Sequence, residues 1–328
     1  MKIGPIKFMK QDLMRRVIYA LIPIILASIY YFGWRVIPLM ISTSFFGVMA
    51  EWSFKRSTGK PVSEAVFVTS ILFVLTLPPK TPYWVAAVGI IFGIVFGKEV
   101  FGGFGRNVFN PALVGRAFVY VSFPKFLTIE WTAPIRDSIF GGFTRYIGPT
   151  IDTVSTATPM LTFRSTGQMM EYSDLLFGNI SGSLGETSAI LIILAGAYLL
   201  YTKTAHKESM LGVLIGFLGM TLVFNVLSIS QVPNPIFGFL SGGILFSAVF
   251  MATDPISAPK TKEARWIYGI MIGSITVIIR GFALFAGGVM FAILIGNSFA
   301  PLLDESVKAL KAHKKAKATP DKGGAANG

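Results

Sequence analysis

At 328 residues, 53% hydrophobic and only 14% charged, with a mean hydropathy of +0.65, the chain lacks the roughly one-quarter charged residues of a soluble domain and reads as an integral membrane protein. Its net charge of +13 is spread between apolar runs and forms no basic face, so the partner it implies is the lipid bilayer and not nucleic acid. The absence of cysteine excludes disulfides and cysteine-ligated iron–sulfur clusters, and the two histidines, His206 and His313, lie outside the apolar runs, so any electron carrier held here is something other than a haem or cluster held by Cys or His, with an organic cofactor the natural choice.

Lys2, Lys7, Lys10, Arg15 and Arg16 come before or at the start of the first apolar run, and no small-residue cleavage site follows it. The run is therefore expected to stay as a first helix. A spanning helix takes about 20 apolar residues, and ten runs qualify: 16–32, 36–54, 62–78, 82–98, 108–124, 186–202, 209–227, 236–252, 265–280 and 284–301. Gly33, Pro78-Pro79, Pro233, Pro235 and Asp254-Pro255 separate them, since proline ends helices. The expected fold is an all-α, polytopic, ten-helix bundle in one transmembrane domain, residues 1–305. Its first half covers 16–124, a polar loop covers 125–185, and its second half covers 186–304. Residues 306–328, rich in Lys, Ala, Gly and Asp, read as a basic, disordered tail lying against anionic headgroups.

Lysine and arginine mark the cytoplasmic side. With the N-terminus inside, 22 of the 29 fall inside and 7 outside, namely Arg35, Lys80, Lys125, Arg136, Arg145, Arg164 and Arg280. Both termini are then cytoplasmic and the 125–185 loop is external. The halves also repeat. Ile71-Leu72-Phe73 before Thr76-Leu77-Pro78 recurs as Ile244-Leu245-Phe246 before Thr253-Asp254-Pro255. Trp84 with Gly89 and Gly93 recurs as Trp266 with Gly269 and Gly273, and NVFNPAL (107–113) recurs as NSFAPLL (297–303). Five helices per half make the second copy inverted, a 5+5 arrangement familiar from transporters.

Within the polar loop, residues 151–160 read IDTVSTATPM, with hydroxyls at Thr153, Ser155, Thr156 and Thr158. Thr158 followed by Pro159 is a helix start, N-cap then first helical position. A helix N-terminus also receives anions, so the motif permits a phosphate group without requiring one.

Four stretches now stand together: GGFGRNVFNPALVGRAF (102–118), DTVSTATP (152–159), GNISGSLGETSA (178–189) and FMATDPISAP (250–259). In these motifs the chain, from about residue 13 to 305, resembles the membrane flavoprotein family shared by the D subunit of the Rnf complex and the B subunit of the sodium-translocating NADH:quinone reductase. The quinone reductase subunit usually carries a longer N-terminal extension, and the early first helix here leans towards the Rnf D subunit. The resemblance implies that the last threonine of an Asp-x-x-Ser/Thr-Gly-Ala-Thr motif carries FMN through a phosphoester. The matching positions are Asp152, Ser155, Ala157 and Thr158, with Thr156 where glycine is usual. It also implies that a separate flavin transferase attaches the FMN, which makes Thr158 an acceptor and not a catalyst. By the same resemblance Asn107 and Asn110 are candidates to line a site for noncovalent riboflavin on the inner half. The residues alone read equally as an Asn-Pro turn flanked by the interfacial arginines Arg106 and Arg116. FGGFGRN lacks the lysine of a phosphate loop and is given no nucleotide role.

Carboxylates within a membrane segment point to ion passage. Asp254 ends the eighth run, Glu64 opens the third and Glu99 follows the fourth. All three fall near expected interfaces, where a solvated carboxylate is cheap, and Asp254, at a break that recurs in both halves, is the ion-pathway candidate. The expected function is that of a cell (inner) membrane subunit of an Rnf-type complex. It passes electrons between partner subunits through flavin, in ferredoxin/NAD electron transport coupled to sodium or proton movement, without a complete active site of its own. The rival is a flavin-free secondary transporter or channel for a small solute or ion, supported by the repeat alone.

Overall fold

A computed structural model describes residues 6–136, 139–146, 156–283 and 288–318. Helices dominate. Among the described residues the one sheet is a two-residue parallel pairing of β1 (Phe8–Met9) with β2 (Val62–Ser63). The first half contains α1 (Asp12–Phe32), α2 (Val36–Lys55), α3 (Ala65–Leu75), α4 (Tyr83–Gly97) and α5 (Pro111–Ser122). The connecting region carries three short helices, α6 (Pro124–Thr128), α7 (Pro159–Thr166) and α8 (Tyr172–Phe177). The second half contains α9 (Ala189–Tyr201), α10 (Lys207–Val226), α11 (Pro235–Leu240), α12 (Ile244–Phe246), α13 (Lys262–Phe282) and α14 (Val289–Ala318).

Five of these, α1, α2, α10, α13 and α14, are long and apolar enough to cross a membrane. The other expected spans are short or broken. Helices α3, α4, α5 and α9 have 11, 15, 12 and 13 residues. The run 236–252 divides into α11, α12 and a π turn, Ser247–Met251. The division falls at Gly242 and Gly243, whose φ of +69° and +73° lies in the left-handed region that a right-handed helix excludes.

A short helix buried in protein leaves terminal backbone groups that something must satisfy. For α3 the 178–188 loop does this. Gly185 N–H donates to the Leu75 carbonyl at 2.7 Å and Leu184 N–H to the Leu77 carbonyl at 3.1 Å. Ser28 of α1 then donates its hydroxyl to the Leu184 carbonyl at 2.5 Å. The polar loop is thus part of the core at this end of the bundle.

Glycines set the closest helix approaches. A Cβ on Gly273 of α13 would stand 2.2 Å from the Val213 carbonyl of α10, and one on Gly93 of α4 would stand 2.4 Å from the Pro111 carbonyl of α5. The two GxxxG pairs therefore serve different neighbours. Gly89 stands five residues after its tryptophan and Gly269 three after its own, and that offset of two is about 200° around a helix. The Ile-Leu-Phe tripeptides also differ in place, one near the end of α3 and the other forming α12. What the halves share is a short helical segment closing on Thr76-Leu77-Pro78 or Thr253-Asp254-Pro255. The asparagine motifs meet directly: Asn110 N–H donates to Asn297 Oδ1 at 3.1 Å.

Beyond residue 306, where the composition suggested a disordered tail, α14 continues to Ala318. Lys, Ala and Leu favour helix there, and two ion pairs accompany them, Lys308–Glu305 and Lys311–Glu263, each at 2.8 Å.

Candidate functional site

Thr158 is the N-cap of α7, with extended backbone at φ −72°, ψ 159° and Pro159 following at the first helical position. Its Oγ1 accepts the Leu161 N–H at 3.4 Å, a bond at the long limit. The side chain is half-buried and Ala157 before it is exposed, whereas Asp152 and Ser155 lie outside the described residues. Thr156 anchors the approach. Its N–H donates to the Trp131 carbonyl at 3.2 Å, and its hydroxyl shares a 2.8 Å hydrogen bond with that of Ser181.

Thr158 opens on a cleft. Its walls are Trp131, residues 181–183 of the loop, Arg116 and Tyr120 of α5, and Gly242 and Gly243 of the helix break. Arg116 donates to Glu186 at 3.0 Å. Gly243 has no side chain for a reason: a Cβ there would stand 2.6 Å from the Glu186 carboxyl carbon. Behind the break the buried Arg280 donates to the carbonyls of Gly238 at 3.0 Å and Gly242 at 2.6 Å, tying α11 to the start of α12. The charge count placed Arg116 in a cytoplasmic flank; it instead lies inside α5, in the cleft that holds Thr158.

At the other end of α5, Asn110 caps the helix, its Oδ1 accepting N–H from Ala112 at 3.1 Å and Leu113 at 3.3 Å. Asn107, 5% exposed, donates to the Phe109 carbonyl at 3.2 Å. Both line a second cavity. Asp254 faces the same space, as do Thr69, Thr204 and Thr253, and the rest of the lining is mainly apolar. The Asp254 carboxylate accepts from Ile256 N–H at 3.0 Å and the Ser257 hydroxyl at 2.8 Å. Burial nevertheless holds the carboxyl above the ordinary aspartate range.

The other two carboxylates separate. Glu64 braces the N-terminal segment, accepting from Arg15 at 2.6 Å and from Gln11 N–H at 2.7 Å. Glu99 is buried, and its Oε1 has no hydrogen-bond partner among the described residues. That departs from the solvated interfacial carboxylate expected of it. Burial first, and the nearby Glu51 second, push its carboxyl up.

Residues 7–312 match the model of the NQR2, RnfD, RnfE family. The chain belongs to that family. Among its relatives is a protein of Pseudomonas paraeruginosa named as the B subunit of the Na(+)-translocating NADH-quinone reductase, 38% identical over 278 residues. Proteins of the same name from Azotobacter vinelandii and Klebsiella pneumoniae are 40% identical over 278 and 277 residues. These matches cover 82–83% of this chain but only 65–66% of the relatives' own length. The family match together with five helices long and apolar enough to cross a membrane makes this chain a multi-pass membrane protein, and the relatives it matches are named as subunits of a Na(+)-translocating NADH-quinone reductase.

The residues present fit flavins at both places. The Thr158 hydroxyl is weakly engaged, stands at a helix N-terminus and opens on a cleft with an arginine in its wall. The inner cavity sets amide and hydroxyl groups in a mainly apolar slot, the pattern of an aromatic-ligand pocket. Sequence reading missed Arg116, Glu186, Gly242, Gly243 and Lys98 as lining or bracing residues. The available signals were a carboxylate next to the apolar run of α9 and a double glycine inside an otherwise helical run.

Proposed function

We propose that this chain is the flavin-bearing membrane subunit of a redox-driven ion-translocating complex. FMN is attached to Thr158 by a phosphoester that a separate flavin transferase makes, and riboflavin occupies the inner cavity on Asn107, Asn110 and Asp254. A flavin, when bound, supplies one- and two-electron exchange. The protein supplies position: the Thr158 oxygen fixes one end of the nucleotide, the N–H groups opening α7 receive its phosphate, and Arg116 adds positive charge to the cleft wall. Asp152 and Ser155 belong to the transferase's recognition motif. Asp254 is the ion-pathway acid, placed where it senses the charge of the inner site.

In the bilayer the reading keeps ten crossings in an inverted 5+5 arrangement, some of them half-length helices completed by loops, as broken helices complete transporter sites. Both termini are cytoplasmic, the Thr158 loop is external, and partner subunits flank the chain in the cell membrane. The Rnf assignment has ferredoxin and NAD at the two ends of electron flow. A second reading, favoured by the names of the relatives, is a subunit of a sodium-translocating NADH–quinone reductase; oxidation of the membrane complex by quinone, with no requirement for ferredoxin, selects it.

The observation that carries the proposal is the half-buried Thr158 hydroxyl at the start of α7, facing a cleft with Arg116. Ultraviolet imaging of an SDS-denatured gel, followed by mass spectrometry of the peptide 146–164, tests it. A fluorescent band with flavin mass on Thr158 is expected. A dark band from a colourless protein that moves solute in liposomes sinks it in favour of the flavin-free transporter.

A further inference from the structure

Lys98 is the residue after α4 and is 2% exposed. Its Nζ donates to Glu51 Oε2 and to Ser63 Oγ, both at 2.6 Å, and lies 5.9 Å from the centre of the Phe104 ring. Glu51, fully buried in α2, also accepts the Ser63 N–H at 2.8 Å and the Ser63 hydroxyl at 2.9 Å, with Lys55 a further 3.5 Å away. The bonds to the Glu51 carboxylate and the Ser63 hydroxyl hold the Lys98 Nζ in one place.

A buried ion pair adds little to stability over an apolar pair of the same size, so stability alone does not explain this one. Its placement offers a reason. Lys98 belongs to the wall of the inner cavity, together with Asn107, Asn110 and Asp254, whereas Glu51 and Ser63 stand behind it and do not reach the lining. Of the pair, the cationic residue is therefore the one that borders the cavity. In a mainly apolar enclosure such a charge is poorly screened.

We propose that Lys98, fixed by Glu51 and Ser63, is a positioning residue for charge that raises the reduction potential of the flavin held in the inner cavity. Added electrons bring negative charge to that site, and a fixed ammonium favours the electron-rich form. Glu51 opposes the effect from the greater distance, so removing it strengthens the field and removing Lys98 reverses it. The inference rests on reading the inner cavity as a flavin site.

The test uses the full-length chain with Thr158→Ala, so that noncovalent flavin is the one chromophore reporting. Potentiometric titration followed by absorbance is compared across Lys98→Met, Glu51→Gln and the double variant. The expected order of midpoint potential, highest first, is Glu51→Gln, the parent, the double variant, Lys98→Met. Each single substitution changes the oxidised-to-reduced ratio at fixed potential about tenfold, which is about 30 mV for a two-electron couple. The double variant carries neither charge and folds where a single one leaves a buried ion exposed to imbalance. Unchanged potentials, shifts of one sign in both single variants, or loss of flavin from the double variant overturn the role of Lys98. A parent that releases no flavin on denaturation overturns the cavity reading itself, a separate outcome.

Discussion

Replacing Thr158 separates a chemical role from a structural one. Its Oγ1 caps α7 through a single bond to the Leu161 N–H at 3.4 Å, so truncation to alanine costs about 0.5 kcal/mol, the low end for an N-cap. A protein stable by about 5–15 kcal/mol tolerates that loss. Asparagine caps as well as threonine or better but has no hydroxyl to esterify. Thr158→Ala and Thr158→Asn are therefore both expected to accumulate in the membrane at parental levels, Thr158→Asn with unchanged thermal stability, and neither should fluoresce on a denaturing gel. Intact-mass measurement of the purified chains checks the same point without optics. A Thr158→Asn protein that keeps covalent flavin, on this residue or a neighbour, refutes the reasoning, because the acceptor then lies elsewhere in the loop.

Packing gives a second expectation: Gly273→Ala forces α13 away from the Val213 carbonyl, 2.2 Å from the added carbon, and should lower stability by about 1–3 kcal/mol. Gly219→Ala on α10 meets nothing within 4 Å and should be neutral or stabilising by up to about 1 kcal/mol; equal melting temperatures for the two would disprove the close approach. Gly243→Ala combines a φ of +73° with a clash against Glu186, so it should break the Arg116–Glu186 pair and reduce flavin attachment at Thr158, read by in-gel fluorescence per milligram. The Asp254 carboxyl is pushed up on folding, so the folded state holds its proton more tightly than the unfolded chain. That stabilisation is complete below the ordinary aspartate value of about 3.9 and fades as pH rises through the folded one. Thermal melts from about pH 4 upwards should show parental stability declining relative to Asp254→Asn; parallel curves would refute it.

The long spans were legible because apolar runs with terminal charges leave one solution, and α1, α2, α10, α13 and α14 sit within a few residues of the runs that announced them, apart from the tail of α14. The half-length helices were not. Composition scores residues 236–252 as one apolar run, yet the left-handed backbone at Gly242 and Gly243 and the carbonyl grip of Arg280 divide it. Tertiary partners also decided the charges. Arg116 looks interfacial in one dimension and is cleft-lining in three because Glu186, 70 residues on, meets it. Glu99 is near a helix end, as expected, but Glu51, Lys55 and Lys98 crowd the same corner and exclude water from it. At the candidate site, the helix start at Thr158 was readable from Thr-Pro spelling alone, whereas Asn110, read as part of an Asn-Pro turn inside the 108–124 run, proves to cap α5. That Asn110 and Asp254 share one enclosure depends on two segments far apart in the chain, and no local pattern encodes that.

Helix α5 touches both cavities, with Asn110 and Ala112 at one and Arg116 and Tyr120 at the other. Its 12 residues are about 18 Å of rigid rod. In the proposed function the gap between the two flavins is then a property of one stiff strut, insensitive to loop breathing elsewhere. By the same token, a lesion anywhere along that strut disturbs both cavities together, and a defect mapped to it belongs to neither alone.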